Sequence, residues 1–303
     1  MRNCFIQWLC AKAEIDQRIV LLTADLGYSV VEPFSTKYPD RFINVGVAEQ
    51  NMVGIAAGLA TEGYRPYTYS IGVFPTFRCA EQIRNDIDYH QLPVVYCTVG
   101  SGVAYGNLGY SHHAIQDLSL IRSLPYSVLG TPSQPTEVAS ILDWQYNSGV
   151  PTYLRMHKAG EKSFNSPRPS DDIELPWCLT NNEVAEVSSV CILVCSHLAS
   201  MAWDVQDKLG TKIPIYSVPL WGQRLRKKQS KWLSQFKHVI AIEDHILDGG
   251  FGSYIAESLM QSKSNCEVDF VCFPLSSIGL VAKEDTLLSS LRDQLTSVLL
   301  QYT

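Results

Sequence analysis

Residues 41–60, RFINVGVAEQNMVGIAAGLA, decide how the chain folds. A β-branched run ends at Val45, a glycine turn follows at Gly46, and a helical pattern opens at Glu49. Strand, tight turn and helix in so short a span form the repeating unit of a parallel sheet wound with helices. In open sheets of this kind, functional groups gather where strand C-termini meet helix N-termini. A glutamate at a helix N-terminus also sits in the favourable field of the helix dipole. Taken alone, Glu49 reads as a helix-capping carboxylate. The helix it opens is nearly smooth, with Gly54, Ala56, Ala57, Gly58 and Ala60. Small residues permit close backbone approach, so this helix is expected to pack tightly against another helix or another chain.

Working outward, short β-branched runs at 19–23, 41–45, 65–71, 94–99, 126–129 and 152–155 predict strands. Helical patterns lie between several of them, at 49–62, 77–89, 115–123 and 136–146. This alternation predicts an α/β fold with a doubly wound, mostly parallel sheet. The rhythm breaks over 158–182, where Pro167, Pro169 and Pro176 stand without a long apolar period. It resumes with strands at 189–195, 213–218, 238–242 and 268–273 and helices at 199–209, 253–261 and 286–301. Two α/β domains are therefore expected, 1–165 and a smaller 183–303, joined by a linker at 166–182. A length of 303 residues agrees with two domains.

Composition sets the class. With 46% hydrophobic and 18% charged residues the chain carries enough apolar sequence for two cores, which excludes a disordered or fibrous protein. A formal net charge of −6 argues against a general nucleic-acid binder. The one dense basic cluster, 224–228 (RLRKK), reads as a solvated loop. Nine cysteines, an odd number without a CxxC pair, read as free thiols in a reducing compartment. Cys191 and Cys195, four apart in VCILVCS, are expected on one buried face. The N-terminus reaches acidic residues too early for a signal peptide, and no apolar run is long enough to span a bilayer. A cytoplasmic protein is expected.

Two further segments bear on chemistry. In 67–88, YTYSIGVFPTFRCAEQIRNDID, Phe74 and Phe77 fall in a strand-to-helix turn where an aromatic ring can meet a flat ligand, although core packing explains each as well. In 98–117, TVGSGVAYGNLGYSHHAIQD, a glycine-rich loop ends in His112 and His113. Its glycines match neither a dinucleotide fingerprint nor a P-loop, and no metal is expected on the paired histidines.

In series, VGVAEQNMVGIAAGLA, FxxxRxxEQIRND and GYSHHAIQDLSLIR resemble the pyrimidine-binding domain of thiamine-diphosphate enzymes, specifically of the transketolase family. Residues 238–257, HVIAIEDHILDGGFGSYIAE, resemble part of that family's C-terminal domain, so the likeness covers nearly the whole chain. The resemblance implies thiamine diphosphate as cofactor and gives Glu49 the role of activating glutamate. A carboxyl group bonded to the pyrimidine nitrogen N1′ drives the cofactor's aminopyrimidine to the imino form, which then takes the proton of the thiazolium carbon. It further implies that Phe74 stacks on the pyrimidine, that Phe77 and Arg78 line or brace the pocket, and that Asp25 lies near the cofactor. Ser29 and Arg155 resemble positions that hold a sugar phosphate. His112 resembles the histidine that polarises donor-sugar oxygens and assists proton transfers.

The chain departs from the family at two loop positions. Leu108 stands where many members have aspartate, and Gly100 aligns roughly with a substrate histidine. Losing two polar contacts changes which sugar a site accepts; His113 or Asn107 are the candidates to compensate. No GDG…N motif for magnesium and diphosphate occurs in the sequence. The expectation is thus the second subunit of a split transketolase, active in a heterotetramer with a diphosphate-binding partner that carries Mg2+ or Ca2+. Transfer of a two-carbon ketol unit between a ketose phosphate and an aldose is the implied reaction. The β subunit of a 2-oxo-acid dehydrogenase's decarboxylating component and a non-catalytic relative are the competing readings.

Overall fold

Ile19–Thr23 (β1) is buried along its whole length, as an apolar run covered by helices on both faces must be. The computed structural model describes residues 1–158, 163–164, 172–179 and 188–303. After β1 come β2 (Phe42–Asn44), β3 (Arg65–Ile71), β4 (Val95–Val99), β5 (Val128–Gly130) and β6 (Thr152–Met156). Helices alternate with them: α1 (Arg2–Ile15) precedes β1, and α2 (Glu32–Lys37) and α3 (Glu49–Thr61) flank β2. Next, α4 (Val73–Arg78) and α5 (Ala80–Gln82) follow β3, while α6 (Asp117–Ile121) and α7 (Pro135–Ser148) flank β5. These six strands run parallel in the order β5-β6-β4-β3-β1-β2. The chain leaves β1 for β2 on one side and returns to β3 on the other, so the order reverses at β1. Such a reversal opens a crevice at the carboxyl ends of the strands.

The remaining strands are β7 (Trp177–Cys178), β8 (Val190–Val194), β9 (Ile215–Ser217), β10 (Leu220–Trp221), β11 (His238–Ile242) and β12 (Glu267–Val271). With them go α8 (Ala199–Leu209), α9 (Arg226–Leu233), α10 (Phe251–Gln261), α11 (Glu284–Leu287) and α12 (Ser289–Leu299). Five of these strands form a second sheet, β12-β11-β8-β9-β7, parallel except for β7. The molecule is thus a mixed α/β structure with two mostly parallel sheets. Of the expected linker, residues 172–179 are described and include β7; the remainder lies outside the described residues.

The sixth strand, β10, does not join its sequence neighbours. It pairs antiparallel with β5 and extends the first sheet. Trp221 is fully buried there, donating Nε1–H to Thr131 Oγ1 at 3.0 Å and meeting the rings of Phe251 and Tyr254. One apolar cluster consequently runs from Val20 and Met52 through Trp221 to Leu193 and Phe251, and Cys191 and Cys195 share it. All nine cysteines are free thiols. No helix among the described residues is long and apolar enough to cross a membrane.

Two local expectations are corrected, and one helix the sequence reading did not assign is added. The segment 2–15 is a helix: Phe5, Ile6, Leu9 and Ala13 recur on one buried face, and Trp8 Nε1–H bonds Asp143 of α7 at 3.0 Å. The continuous helix expected over 77–89 breaks at Cys79 and rewinds as a π turn over Ile83–Asp88. That turn delivers Asp88 to the Ser127 backbone N–H, at 2.6 Å, and to its hydroxyl, at 2.7 Å. The basic cluster 224–228 is no loop; it runs into α9, where Arg226 pairs with Glu257 and Lys228 with Asp172 and Glu174.

Candidate active site

Glu49 is the first residue of α3, and only 5% of its side chain is exposed. Burial of a carboxylate costs free energy unless a partner compensates. Arg78, the last residue of α4, supplies it through Nη1–H to Oε1 at 2.6 Å. Gln50 ties the same helix ends together by donating to the Arg78 carbonyl at 2.8 Å. Oε2 of Glu49 has no hydrogen bond among the described residues. Behind the pair lies Cys79, whose thiol burial, and secondarily the Glu49 charge, push up to about 12, so it is protonated.

From this pair a continuous line of side chains follows the strand ends. The Arg78 guanidinium lies over the half-buried Phe74 ring at 4.5 Å. Phe74 meets the His112 ring edge-on at 5.3 Å between centroids, and His112 meets Tyr105 at 6.3 Å. Lys158 Nζ lies 5.2 Å over the Tyr105 ring. Ser111 Oγ stands 3.0 Å from His112 Nδ1. Gly100 explains why no larger residue stands at its position: a Cβ there, at φ +91°, would lie 2.3 Å from the Tyr105 ring. Phe77, one turn beyond Phe74, is exposed.

The end of β1 contributes a second group. Asp25 and Ser29 are exposed and both adopt left-handed backbone, φ 54° and 63°. Tyr28 donates to Asp25 Oδ1 at 3.0 Å, and the Ser29 N–H bonds Glu32 at 2.7 Å. Asn44 Oδ1 accepts from the N–H of both Asp25 and Gly46 at 3.0 Å, locking the β1 end to the turn before Glu49. Between Tyr28 and Tyr105 opens a cleft of about 180 Å3, lined also by Arg2, Gly27 and Tyr69.

Against known proteins, residues 1–160 match the family described as "Transketolase, pyrimidine binding domain". The chain belongs to the transketolase family. One subunit of the apulose-4-phosphate transketolase of Actinobacillus succinogenes is 29% identical over 238 residues, 76% of this chain and 74% of that protein. The 1-deoxy-D-xylulose-5-phosphate synthase of Clostridium kluyveri is 30% identical over 251 residues, 81% of this chain. The chain spans only 39% of that synthase. Among solved structures, a "split gene transketolase, inactive beta4 tetramer" superposes with a TM-score of 0.81 at 26% identity, covering 99% of this chain and 96% of its own. The transketolase of Campylobacter jejuni shares the fold, with a TM-score of 0.77 at 17% identity over 99% of this chain and 46% of that one. This transketolase-family chain is thus a homologue of a split-transketolase subunit, in a family of thiamine-diphosphate enzymes.

Two residues expected at a transketolase substrate site lie elsewhere. Arg155 is 1% exposed and faces inward from β6. It donates to Asp117 at 2.7 Å, to Asp244, and to the Ala114 carbonyl at 2.6 Å. Burial opposes its charge, but the two carboxylates overcome this and keep it cationic. Every face of the guanidinium is committed to the fold, and none remains for a phosphate. The exposed cation at this strand end is Lys158, which the sequence reading missed because Arg155 lies in the more apolar, more readable run. His113 is likewise buried, with Nε2 3.4 Å from the Gly106 carbonyl, and burial lowers its pKa. It braces the loop from within, while its neighbour His112 lies partly exposed beside Phe74.

Proposed function

We propose that this chain is one subunit of a two-chain, thiamine-diphosphate-dependent transketolase that moves a two-carbon ketol unit from a ketose phosphate to an aldose or its phosphate. The observation that carries the reading is the buried Glu49 carboxylate, gripped by Arg78 beside the Phe74 ring. This set suits the aminopyrimidine end of the cofactor: a carboxyl for a ring nitrogen and an apolar face next to it. When bound, thiamine diphosphate supplies the nucleophilic carbon and the electron sink that cleavage beside a carbonyl requires.

The chain's own residues would divide the remaining work. Glu49 would exchange a proton with the cofactor through its free oxygen Oε2, while Arg78 fixes the orientation of the group through Oε1. Asp25, tied to the Glu49 turn through Asn44, borders the cofactor pocket, with Phe77 at its outer edge. His112, its Nδ1 beside Ser111, exchanges protons with donor-sugar oxygens. Ser29, next in sequence to Tyr28, and Lys158, whose Nζ lies over the Tyr105 ring, would hold the sugar phosphate. Tyr105 fills the space beside Gly100, where the resemblance places a substrate histidine, and Leu108 stands where it places an aspartate, so the accepted sugar would differ from the ordinary pentose phosphates.

The diphosphate and its Mg2+ or Ca2+ belong to a partner subunit in a heterotetramer. Gly54 and Gly58 on α3 support such an interface, since a Cβ at either would meet nothing within 4 Å among the described residues. The nine free thiols are consistent with a cytoplasmic enzyme. The test is recovery of the partner from native extract in thiamine diphosphate and magnesium, followed by turnover of ketose phosphates. The pair should be active and this chain alone inactive. Turnover by this chain alone would overturn the split arrangement, and lipoamide-dependent oxidation of a 2-oxo acid by the pair would replace the reaction.

A further inference from the structure

Behind the loop that carries His112, three side chains from distant parts of the sequence meet. His157 stands just past β6, His197 in the turn before α8, and Glu284 at the start of α11. The imidazole rings stack with centroids 3.7 Å apart and an interplanar angle of 14°. Both Nε2 atoms face the carboxylate: His197 Nε2 is 3.2 Å from Oε1, and His157 Nε2 is 3.6 Å from Oε2. Yet His197 Nε2, Glu284 Oε1 and His157 Nδ1 are buried without a hydrogen-bond partner. Unsatisfied buried polar atoms cost about 1–3 kcal/mol each, so the two that face one another, His197 Nε2 and Glu284 Oε1, call for an explanation; His157 Nδ1 is a separate cost.

We propose that His157, His197 and Glu284 bind a divalent first-row transition-metal ion, zinc by preference, at the junction of the two sheets. Zinc–nitrogen and zinc–oxygen bonds of about 2.0–2.2 Å at tetrahedral angles place donor atoms roughly 3.4 Å apart. The two nitrogen–oxygen separations, 3.2 and 3.6 Å, bracket that spacing. Because each Nε2 lone pair lies in its ring plane and the planes are nearly parallel, both rings must swing out of the stack for their Nε2 atoms to converge on one ion. The support behind His197 is of the kind metal-bound histidines have. Its Nδ1 lies 3.5 Å from Asp244 Oδ2 and 3.4 Å from the hydroxyls of Ser101 and Ser196. A carboxylate behind an imidazole fixes the tautomer that leaves Nε2 free for a metal. Asp244 is itself held by Arg155.

Two nitrogens and one carboxylate favour zinc over magnesium or calcium, which prefer all-oxygen sites. The site is therefore chemically distinct from a diphosphate-bound metal, and the inference does not rest on the proposed reaction. Three ligands leave a fourth position for water. The ion would fasten the β6 end to α11 beneath Gly106, whose carbonyl accepts from the Ala282 N–H at 3.3 Å. It would thereby steady Lys158 and the loop bearing Tyr105 and His112.

The experiment uses the full chain, stripped with chelator, reloaded with Zn2+ or Co2+, desalted and analysed for metal content. One equivalent of zinc should be retained, and the cobalt form should show the visible absorption of a tetrahedral nitrogen–oxygen site. His197→Ala and Glu284→Gln should each weaken zinc binding by at least about tenfold, whereas Cys266→Ser should leave it unchanged. Glu284 is partly exposed, so its substitution keeps the test valid if the His197 variant misfolds. Failure to retain zinc, or retention undiminished in a folded Glu284→Gln chain, would overturn the proposal.

Discussion

Two arginines end up beside carboxylates in this molecule, with opposite consequences. Arg78 is 50% exposed and pairs with one buried acid at a helix N-terminus, close to the strand ends. Arg155 is 1% exposed and binds Asp117 and Asp244, one from each part of the chain, together with a backbone carbonyl. The first pair leaves Glu49 Oε2 free of hydrogen bonds among the described residues, a place where a ligand can enter. In the second, Tyr153 also donates to Asp117 Oδ2 at 2.7 Å; Asp117 Oδ1 has no hydrogen-bond partner among them either, but it is fully buried where no ligand reaches it. The same ion-pair chemistry thus makes a position open to a ligand at the edge of the sheet and a clasp in its interior. Solvent access, not residue type, separates the two.

The largest effect that this contrast predicts is on turnover. Glu49→Gln in the reconstituted pair should lower kcat by about 10²–10⁴-fold, the range for removal of a positioned acid–base group. Thermal stability should hardly move. A variant with unchanged kcat would show that Glu49 is only a cap.

Arg155→Met should act the other way, on folding. It strands two buried carboxylates, and breaking such a cluster costs about 3–5 kcal/mol. Chemical denaturation of the isolated chain reads this directly. A variant that keeps full stability but raises KM for sugar phosphates would return Arg155 to the substrate site and erase the contrast.

A third test uses two adjacent acids at the end of β11. Burial raises Asp244, but Arg155 and then His197 outweigh it, and the group ends below its ordinary value. Its stabilisation is present above the unfolded carboxylate pKa and is lost as the pH falls through the lowered one. Glu243 caps α10 by accepting from Phe251 N at 2.6 Å and Gly252 N at 2.9 Å. Burial, only partly offset by these bonds, pushes it up to about 8 from 4.5. The folded state therefore holds a proton that the unfolded state gives up, and stability declines from pH 4.5 to about 8. The slope approaches about 1.4 kcal/mol per pH unit. Glu243→Gln should flatten it, as followed by denaturation at several pH values; an unchanged slope would show that Glu243 is charged.

The alternation of strands and helices follows from features that the sequence carries openly. Apolar strand runs and amphipathic or small-residue helices announce β1, β3, β11 and α3 to within a residue or two. What stayed hidden depends on distant partners. The two residues of β10 are too short to show a period, and only Thr131, Phe251 and Tyr254 explain why Trp221 turns back to the first sheet. The break at Cys79 is equally silent, because the helical spacing of residues 77–89 is unbroken. At the site, motif resemblance brought out Glu49, Phe74, Arg78 and His112, which the fold brings into one line. It also drew in Arg155 and His113, since a motif records residue type but not which way a side chain faces. Tyr105, Asn44 and Lys158 went unnoticed because a tyrosine, an asparagine or a lysine in a loop carries no periodic signal.

The smallest expected effect is also the sharpest probe of the contrast. Arg78→Lys keeps the charge beside Glu49 but loses the planar guanidinium that lies over Phe74 while bonding the acid. Because Arg78 is half exposed, water replaces much of what is lost, and the stability change should stay within about 1 kcal/mol. Activity should fall further than that, by about tenfold, since an acid that swings is a poorer acid than one held in place. The fall should appear in kcat, with little change in KM for the sugar. If the lysine variant instead unfolded as readily as Arg155→Met, the pair would be a structural clasp like its buried counterpart, and Glu49 would owe its burial to packing, with no part left for a ligand to complete.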